Sequence, residues 1–209
     1  MRKGIGICCI LLGMLCLLAS VGIVVHNRLE SQNGAQYSQT LLQEVQEKIA
    51  EDPQPDAEKP GVTTEENVPE LPTENEYREM VTVPAGDYES IGILSIPALE
   101  LELPVLSEWS YAKLKKAPCH YYGSCYESDF VIAAHNYKSH FGRLSQLQPG
   151  DIVIFTDVNG ADHCYEVVLL ETLPKEATQE MITSGFALSL YTCTPGGASR
   201  VTVRCNAIS

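Results

Sequence analysis

The sequence predicts a mostly β fold, a closed β-barrel with two or three short helices, which follows an N-terminal transmembrane helix and an acidic linker. Three observations carry this prediction. Seven or eight short segments rich in β-forming residues follow one another, with short connections, after residue 88. Asn159-Gly160 between two of them is the strongest hairpin signal in the chain. The run 4–25 contains no charged residue. A closed barrel suits this many strands because it leaves no long exposed edge.

The strand segments are recognised by alternating apolar residues or by continuous apolar runs. The run 130–134 is almost entirely apolar, which is typical of a strand buried on both faces. The segments 152–156 and 165–173 flank the Asn159-Gly160 turn and form the predicted hairpin. The remaining predicted strands are 91–96, 101–106, 186–192 and 200–204.

Three short helices are predicted between these strands. The segment 111–116 precedes Pro118, and the segment 175–182 ends at Ser184-Gly185. The segment 139–147 begins at Ser139, a possible N-cap, and spaces its apolar residues on one helical face. About 120 residues, 88–209, are enough to enclose one hydrophobic core.

The N-terminal 27 residues are interpreted as a cytoplasmic tip followed by a membrane anchor. At about 1.5 Å rise per residue, the uncharged run 4–25 spans a hydrocarbon core of about 30 Å. Arg2 and Lys3 precede it, so the positive-inside tendency predicts a single pass with a cytoplasmic N-terminus and an extracellular remainder. A cleaved signal peptide is the competing interpretation, but the run is long for one.

Residues 28–87 are predicted to form an acidic stalk. A short helix at 36–51 carries a narrow apolar stripe, which could pack on the barrel, form a dimer seam or remain a stalk. The segment 52–76 is rich in Pro, Glu, Thr and Asn and has hardly any large apolar side chains, so a disordered spacer is expected. The compact domain is expected to occupy 88–209.

The charge of the chain is concentrated in its linker. The formal net charge is −13, and residues 28–90 hold 15 acidic and 4 basic residues. An acidic chain without a basic patch argues against nucleic-acid binding.

Of the eight cysteines, five lie beyond the N-terminal run. Cys119–Cys125 or Cys164–Cys205 pairs could form disulfides, although small apolar core residues are the simpler interpretation. The absence of Cys-x-x-Cys and of zinc-like spacing predicts no metal site.

The most informative stretch is Leu-Ser-Leu-Tyr-Thr-Cys-Thr-Pro at 188–195, followed by Arg200. Cys193 falls at the end of one predicted strand, and Arg200 begins the next after a Pro- and Gly-containing loop. The thiol and the guanidinium should therefore meet at one edge of the sheet. Nearby positive charge lowers a thiol pKa and can hold an oxyanion, so this arrangement suits thiolate chemistry.

This stretch resembles the Thr-Leu-x-Thr-Cys signature and downstream arginine of the sortases, the cysteine transpeptidases of Gram-positive cell surfaces. Ser189 stands where that family often has Thr. The resemblance extends over roughly residues 90–209 and includes Ile-Gly-Ile-Leu-Ser-Ile-Pro at 91–97, Ala-Ala-His-Asn at 133–136 and Leu-Gln-Pro-Gly-Asp at 147–151. It implies an eight-stranded barrel. The Asp-Pro-aromatic lid motif of some pilin-assembling members is not matched by Asp52-Pro53-Gln54.

The resemblance also identifies candidate site residues. Cys193 is the expected nucleophile and Arg200 the oxyanion or substrate clamp, with Arg204 as its competitor on the same strand face. His135, which closes the apolar strand, is the expected general acid/base. His140 is the next candidate for this role and His120 the third.

The function implied is cleavage of a Leu-Pro-x-Thr-Gly-like sorting signal through a Cys193 thioester, followed by transfer to an amine. The expected partners are secreted proteins with a C-terminal sorting signal and an amine acceptor from a peptidoglycan precursor or a pilin. No cofactor is expected. The acidic residues form no recognisable calcium loop, and calcium dependence stays open. The alternative is a non-catalytic, membrane-anchored binding module on a similar barrel. An L,D-transpeptidase is disfavoured because this chain has no Ser-His-Gly-Cys sequence, and a redox protein because it has no Cys-x-x-Cys.

Overall fold

The computed structural model describes residues 2–51 and 80–208, with the backbone alone for residues 2–10. The predicted spacer at 52–76 lies outside the described residues. In chain order the elements are α1 (Arg2–Glu51), β1 (Val83–Ala85), β2 (Tyr88–Ile96), β3 (Leu101–Leu106), α2 (Tyr111–Leu114), β4 (Cys119–Tyr122), β5 (Phe130–Ala133), β6 (Ile152–Asp157), β7 (Asp162–Pro174), α3 (Thr178–Ile182), β8 (Leu188–Cys193) and β9 (Ser199–Ala207).

Eight of the nine described strands close into a barrel, which confirms the predicted fold class. The hydrogen-bonded order is β2-β3-β4-β5-β8-β9-β7-β6, and pairing of β6 with β2 completes the ring. Strand β1 adds to β2 outside this ring. Most neighbours are antiparallel, whereas β3 runs parallel to β4 and β5 runs parallel to β8. Because β5 and β8 are parallel, their carboxyl ends lie at the same edge of the barrel.

Two clusters of buried apolar side chains stabilise the fold. The first fills the barrel and includes Phe130 and Phe155, whose rings pack edge to face with centroids 5.1 Å apart. The second lies outside the barrel wall and includes Leu106 of β3 and Tyr191 of β8. Since Leu190 belongs to the inner cluster and Tyr191 to the outer one, β8 shows the alternation expected of a barrel strand.

The N-terminal segment forms one continuous helix of 50 residues rather than a membrane run and a separate helix. The predicted stripe at 36–51 packs on the barrel, because Leu41 and Val45 are buried in the outer cluster. From Leu11 to Val25 the large apolar side chains are exposed, and this helix alone among the described elements is long and apolar enough to cross a membrane. A lipid bilayer would cover these exposed side chains.

Two local predictions were incomplete or wrong. Strand β4, Cys119–Tyr122, was missed because its four residues are too few to show an alternating pattern. The helix at 139–147 is wrong, because that segment forms turns and a short 3₁₀ helix at Leu144–Gln146. Gly142 N–H donates to the Tyr137 carbonyl at 2.8 Å, and these turns fold back onto the loop that carries His135. Hydrogen bonds to the adjacent His135 loop therefore override the helical spacing.

Candidate active site

The ends of β5 and β8 bring a histidine and a cysteine to the same edge of the barrel. Ala133 pairs with Tyr191 in the parallel register, so the segments that follow leave the sheet side by side. The Ala134 N–H donates to the Tyr191 carbonyl at 3.2 Å, and the Thr192 hydroxyl donates to the Ala134 carbonyl at 2.8 Å. These two hydrogen bonds join Ala134, which precedes His135, to Tyr191 and Thr192, which precede Cys193.

Arg200 lies directly across the strand pair from Cys193. The two residues are Cα partners in the antiparallel β8–β9 ladder, so their side chains project from the same face of the sheet. The intervening loop is closed by a hydrogen bond from Thr194 N–H to the Ser199 carbonyl at 3.0 Å. Arg200 Nη1 donates to the carbonyls of Gly197 and Ser199, at 3.2 and 3.1 Å, which ties the guanidinium to this loop.

Cys193 and His135 line one cavity of about 170 Å³. A neighbouring cavity of about 190 Å³ is lined by Arg200 and by several aromatic side chains, and Tyr111 borders both. Four aromatic rings of this second cavity pack edge to face in a chain. The ring centroids of Tyr111 and Trp109 are 4.9 Å apart, those of Trp109 and Tyr121 are 5.9 Å apart, and those of Tyr121 and Tyr191 are 5.3 Å apart. The two cavities form a cleft with a thiol at one end and an aromatic pocket at the other.

His135 is held by packing rather than by a carboxylate. Its ring stacks on Tyr137 with centroids 4.0 Å apart, and its Nδ1 is buried without a hydrogen-bond partner among the described residues. Burial lowers the pKa of His135, chiefly because the charged imidazolium is poorly solvated there. The nearby Glu30 carboxylate opposes this shift and the Lys115 ammonium adds to it. A neutral imidazole is suited to accept a proton.

Helix α1 lies beside this site. A third cavity, of about 620 Å³, is lined by α1 residues, including Val24 and Glu30, and by the loop that carries His135. Lys115 Nζ lies 2.6 Å from Glu30 Oε1 and anchors this part of α1 to the segment after α2. The end of the apolar stretch of α1 is therefore close to the candidate histidine.

Charge-removing substitutions at this ion pair are expected to move the pKa of His135 in opposite directions. Glu30→Gln removes an attraction for the imidazolium and should lower the pKa further. Lys115→Gln removes a repulsion and should raise it. NMR titration of His135 in the full chain, in detergent micelles, would measure both shifts. Glu47→Gln, an exposed α1 position, is the matched control and should leave the pKa unchanged. Shifts of the same sign in both test variants would contradict the described site.

The other described histidines are placed differently, and only His135 lines the cavity with Cys193. His140 is fully buried, and burial lowers its pKa to about 4. His120 Nε2 lies 2.8 Å from the Gly123 carbonyl within a turn. His163 lies beside Asp157, away from this cleft, at the start of β7.

Arg204 has a structural position. It is 2% exposed, and its Nε donates to the Glu171 carboxylate at 2.7 Å. Its Nη1 donates to the Ser189 hydroxyl at 2.8 Å and its Nη2 to the Glu180 carbonyl at 2.7 Å, which joins α3 to β8 and β9. Because these contacts occupy the guanidinium, Arg200 is the arginine available to the cleft.

The sequence reasoning missed several parts of the site. The aromatic pocket was not predicted, although Trp109, Tyr111 and Tyr121 stand close together in the sequence. The Glu30–Lys115 pair joins residues 85 positions apart, and no local pattern could have connected them.

The described cysteines are all thiols, and Cys119 and Cys205 are buried in the two cores. Burial raises the pKa of each of these two thiols to about 12.

Comparison with solved structures places the fold among known enzymes. Sortase A from Corynebacterium diphtheriae superimposes with a TM-score of 0.53 at 23% identity, over 58% of this chain and 62% of that one. Sortase C1 from Streptococcus suis has a TM-score of 0.51 at 27% identity, over 57% of this chain and 73% of that one. Streptococcus pneumoniae sortase C has a TM-score of 0.50 at 26% identity, over 57% of this chain and 69% of that one. The chain thus spans less than two thirds of the first of these structures.

The sequence itself gives the same assignment. The Sortase domain model matches residues 94–208, which is more than half of the chain and includes the cleft described above. No curated protein matches the chain at a significant level. The matched region begins within β2 and ends beyond β9, so it covers nearly the whole closed barrel. The chain therefore belongs to the sortase family, a family of cysteine transpeptidases.

Proposed function

We propose that the protein is a membrane-anchored cysteine transpeptidase that cleaves a Leu-Pro-x-Thr-Gly-like sorting signal and transfers the acyl group to an amine. One observation carries the proposal: Cys193 and His135 line the same cavity, and Arg200 faces Cys193 across the strand pair. In this assignment Cys193 is the nucleophile, His135 the general acid/base and Arg200 the clamp on the oxyanion or substrate.

The first half-reaction forms a thioester. His135 accepts the proton of the Cys193 thiol, and the thiolate attacks the carbonyl carbon of the sorting-signal peptide. Negative charge then develops on the carbonyl oxygen, where the guanidinium of Arg200 stabilises it. The tetrahedral intermediate collapses as His135 returns its proton to the leaving amine. The acyl group remains on the Cys193 sulfur.

The second half-reaction consumes an amine. The incoming amine attacks the thioester carbonyl, and His135 takes the proton that the amine loses. Collapse breaks the carbon–sulfur bond and leaves a new amide, and His135 passes the proton to the departing sulfur to restore the Cys193 thiol. The acceptor is an amine of a cell-wall precursor or of a pilin. The structurally similar Streptococcus pneumoniae sortase C is described in terms of its pilin substrate specificity, which supports a pilin as one candidate acceptor.

The aromatic pocket is the proposed site for an apolar residue of the sorting signal. Trp109 and Tyr121 offer flat apolar surface beside Arg200, and Tyr111 connects that surface to the cavity of Cys193. An extended peptide with its scissile carbonyl at the thiol would place a neighbouring side chain there. Lys175 also lines this pocket, and aromatic walls with a few charged or polar groups are typical of specific binding pockets.

The proposed location is the cell surface, with residues 1–27 as the cytoplasmic tip and membrane anchor. Arg2 and Lys3 favour a cytoplasmic N-terminus, so the barrel is extracellular. Residues 28–87 join the anchor to the barrel at 88–209. The contact of Leu41 and Val45 with the barrel supports a catalytic domain held near the membrane rather than at the end of a free stalk.

Product analysis tests this function. The full chain in detergent micelles is incubated with a panel of Leu-Pro-x-Thr-Gly-like peptides, with and without an amine acceptor, and the products are separated by chromatography. We expect cleavage after Thr and an amine-dependent ligation product. Tight peptide binding without any cleavage, by folded and reduced protein, would favour the non-catalytic binding module instead.

A further inference from the structure

A cluster of metal-binding side chains lies at the other end of the barrel from the cleft. Donor atoms of Cys125, Asp157 and His163 lie within 4.8 Å of one another. Cys125 follows β4, Asp157 ends β6 and His163 is the second residue of β7, so three separate segments converge here. Leu173, at the far end of β7, pairs with Arg200 of the cleft. Ten residues of strand separate Leu173 from His163, which is roughly 30 Å.

From this cluster we infer that Cys125, Asp157 and His163 form a site for a divalent transition-metal ion of the zinc type. A thiolate, an imidazole and a carboxylate are the ligands that zinc selects in proteins. Calcium and magnesium prefer oxygen donors, and a sulfur and a nitrogen donor disfavour both. Three protein ligands leave a fourth position for water or for another side chain.

The distances suit such an ion. His163 Nε2 and Asp157 Oδ2 are 3.2 Å apart. Two donors about 2.0–2.1 Å from a tetrahedral zinc ion lie roughly 3.3 Å from each other, so this pair needs almost no movement. A sulfur at about 2.3 Å from the ion lies roughly 3.5 Å from the other two donors. Since the three donors lie within 4.8 Å of one another, Cys125 Sγ has to approach the other two by roughly 1.3 Å at most, which a side-chain rotation provides.

The surrounding hydrogen bonds orient the carboxylate. Asp157 is 4% exposed, and its Oδ1 accepts the backbone N–H groups of Asn159 and Ala161 at 2.9 and 3.0 Å. These bonds fix the carboxylate and leave Oδ2 to face His163. The Tyr126 hydroxyl donates to Oδ2 at 3.0 Å. Such outer partners orient ligands and strengthen metal affinity.

The charge of the surroundings also favours a cation. A cavity of about 290 Å³ opens beside the cluster, and the described residues that line it include Glu127, Asp162 and Cys164 but no Lys or Arg. Binding of the ion releases the thiol proton of Cys125 and any proton on His163 Nε2, so affinity should rise with pH. The bound ion would link the β6–β7 hairpin to the segment after β4 and thereby stabilise this end of the barrel.

Cobalt(II) is the probe that tests the site. The full chain with Cys193→Ala, which removes the reactive thiol of the cleft, is reduced, stripped of metal and kept in detergent micelles. We expect one equivalent of Co²⁺ to produce a thiolate charge-transfer band, and Zn²⁺ to abolish it by displacement. Zn²⁺ should also raise the melting temperature. The melting temperature reports on folding, so this measurement needs no catalytic activity.

Variants identify the ligands. Adding Cys125→Ser should abolish the charge-transfer band, and His163→Gln should weaken Co²⁺ binding by about 100-fold or more, beyond what loss of an outer partner costs. Glu176→Gln removes an exposed carboxylate beyond the cleft end of β7 and should leave both the band and the Zn²⁺-dependent melting shift intact. A band that survives Cys125→Ser would place the ion elsewhere, and the absence of any band in reduced, folded protein would overturn the inference. Either result leaves the transpeptidase assignment unaffected, since that assignment depends on Cys193.

Discussion

Replacement of Cys193 by alanine is expected to lower the rate of sorting-signal cleavage by about 10⁴-fold or more, to the background of the peptide alone. The reason is chemical: without the sulfur no thioester forms, and neither cleavage nor transfer has a covalent route. Cys193 is partly exposed at the end of β8, so the smaller alanine should be accommodated without loss of the fold. Cleavage rates and the melting temperature of the full chain, both in detergent micelles, measure the two effects.

Cys164→Ala is the matched control for this experiment. Cys164 is also a partly exposed strand thiol, but it lies on β7, away from the cleft. Its loss should leave the cleavage rate unchanged. Substantial activity in Cys193→Ala, with protein free of contaminating wild type, would show that another group supplies the nucleophile.

Arg200→Ala is expected to lower kcat by about 10²–10³-fold while leaving the melting temperature within a few degrees of wild type. The guanidinium faces Cys193 across the ladder and is tied only to loop carbonyls, so its contribution should be to the transition state. Arg200→Lys retains the charge but not the planar fork and should recover part of the rate. Steady-state rates at saturating peptide and amine acceptor give kcat directly.

Arg204 provides the contrast on the same strand face. Arg204→Met is expected to destabilise the protein by about 2–4 kcal/mol, because it leaves the Ser189 hydroxyl and the Glu180 carbonyl without their buried donor. The partner carboxylate, Glu171, is 30% exposed and can turn to water, which keeps the cost below that of a fully buried pair. Equal loss of kcat in folded Arg200→Ala and Arg204→Met protein would contradict the separation of their roles.

Local pattern and resemblance together predicted most of the barrel. Continuous apolar character identified β5, and the Asn159-Gly160 turn identified the β6–β7 hairpin. The Thr-Cys-Thr-Pro stretch located Cys193 at a strand end because its strand alternates and its loop contains Pro and Gly. These signals are short-range, so they can be read from neighbouring residues.

The remaining features depend on contacts that a local residue pattern does not show. The segment 139–147 has helical spacing, yet backbone bonds to the His135 loop determine its shape. Residues 26–35 show no apolar periodicity, yet α1 continues through them and carries Glu30 to Lys115. The Cys125–Asp157–His163 cluster could not be predicted from spacing, since barrel closure, rather than a motif, brings these donors together.

The mass of the intact protein after reaction tests the central claim most directly. The full chain is incubated with a cleavable sorting-signal peptide without an acceptor, quenched in acid and digested for mapping. The account predicts an acyl adduct on Cys193 that disappears when an amine acceptor is added. An adduct that instead maps to Cys125, which also has a histidine nearby, would contradict the account, as would cleavage with no adduct on any cysteine.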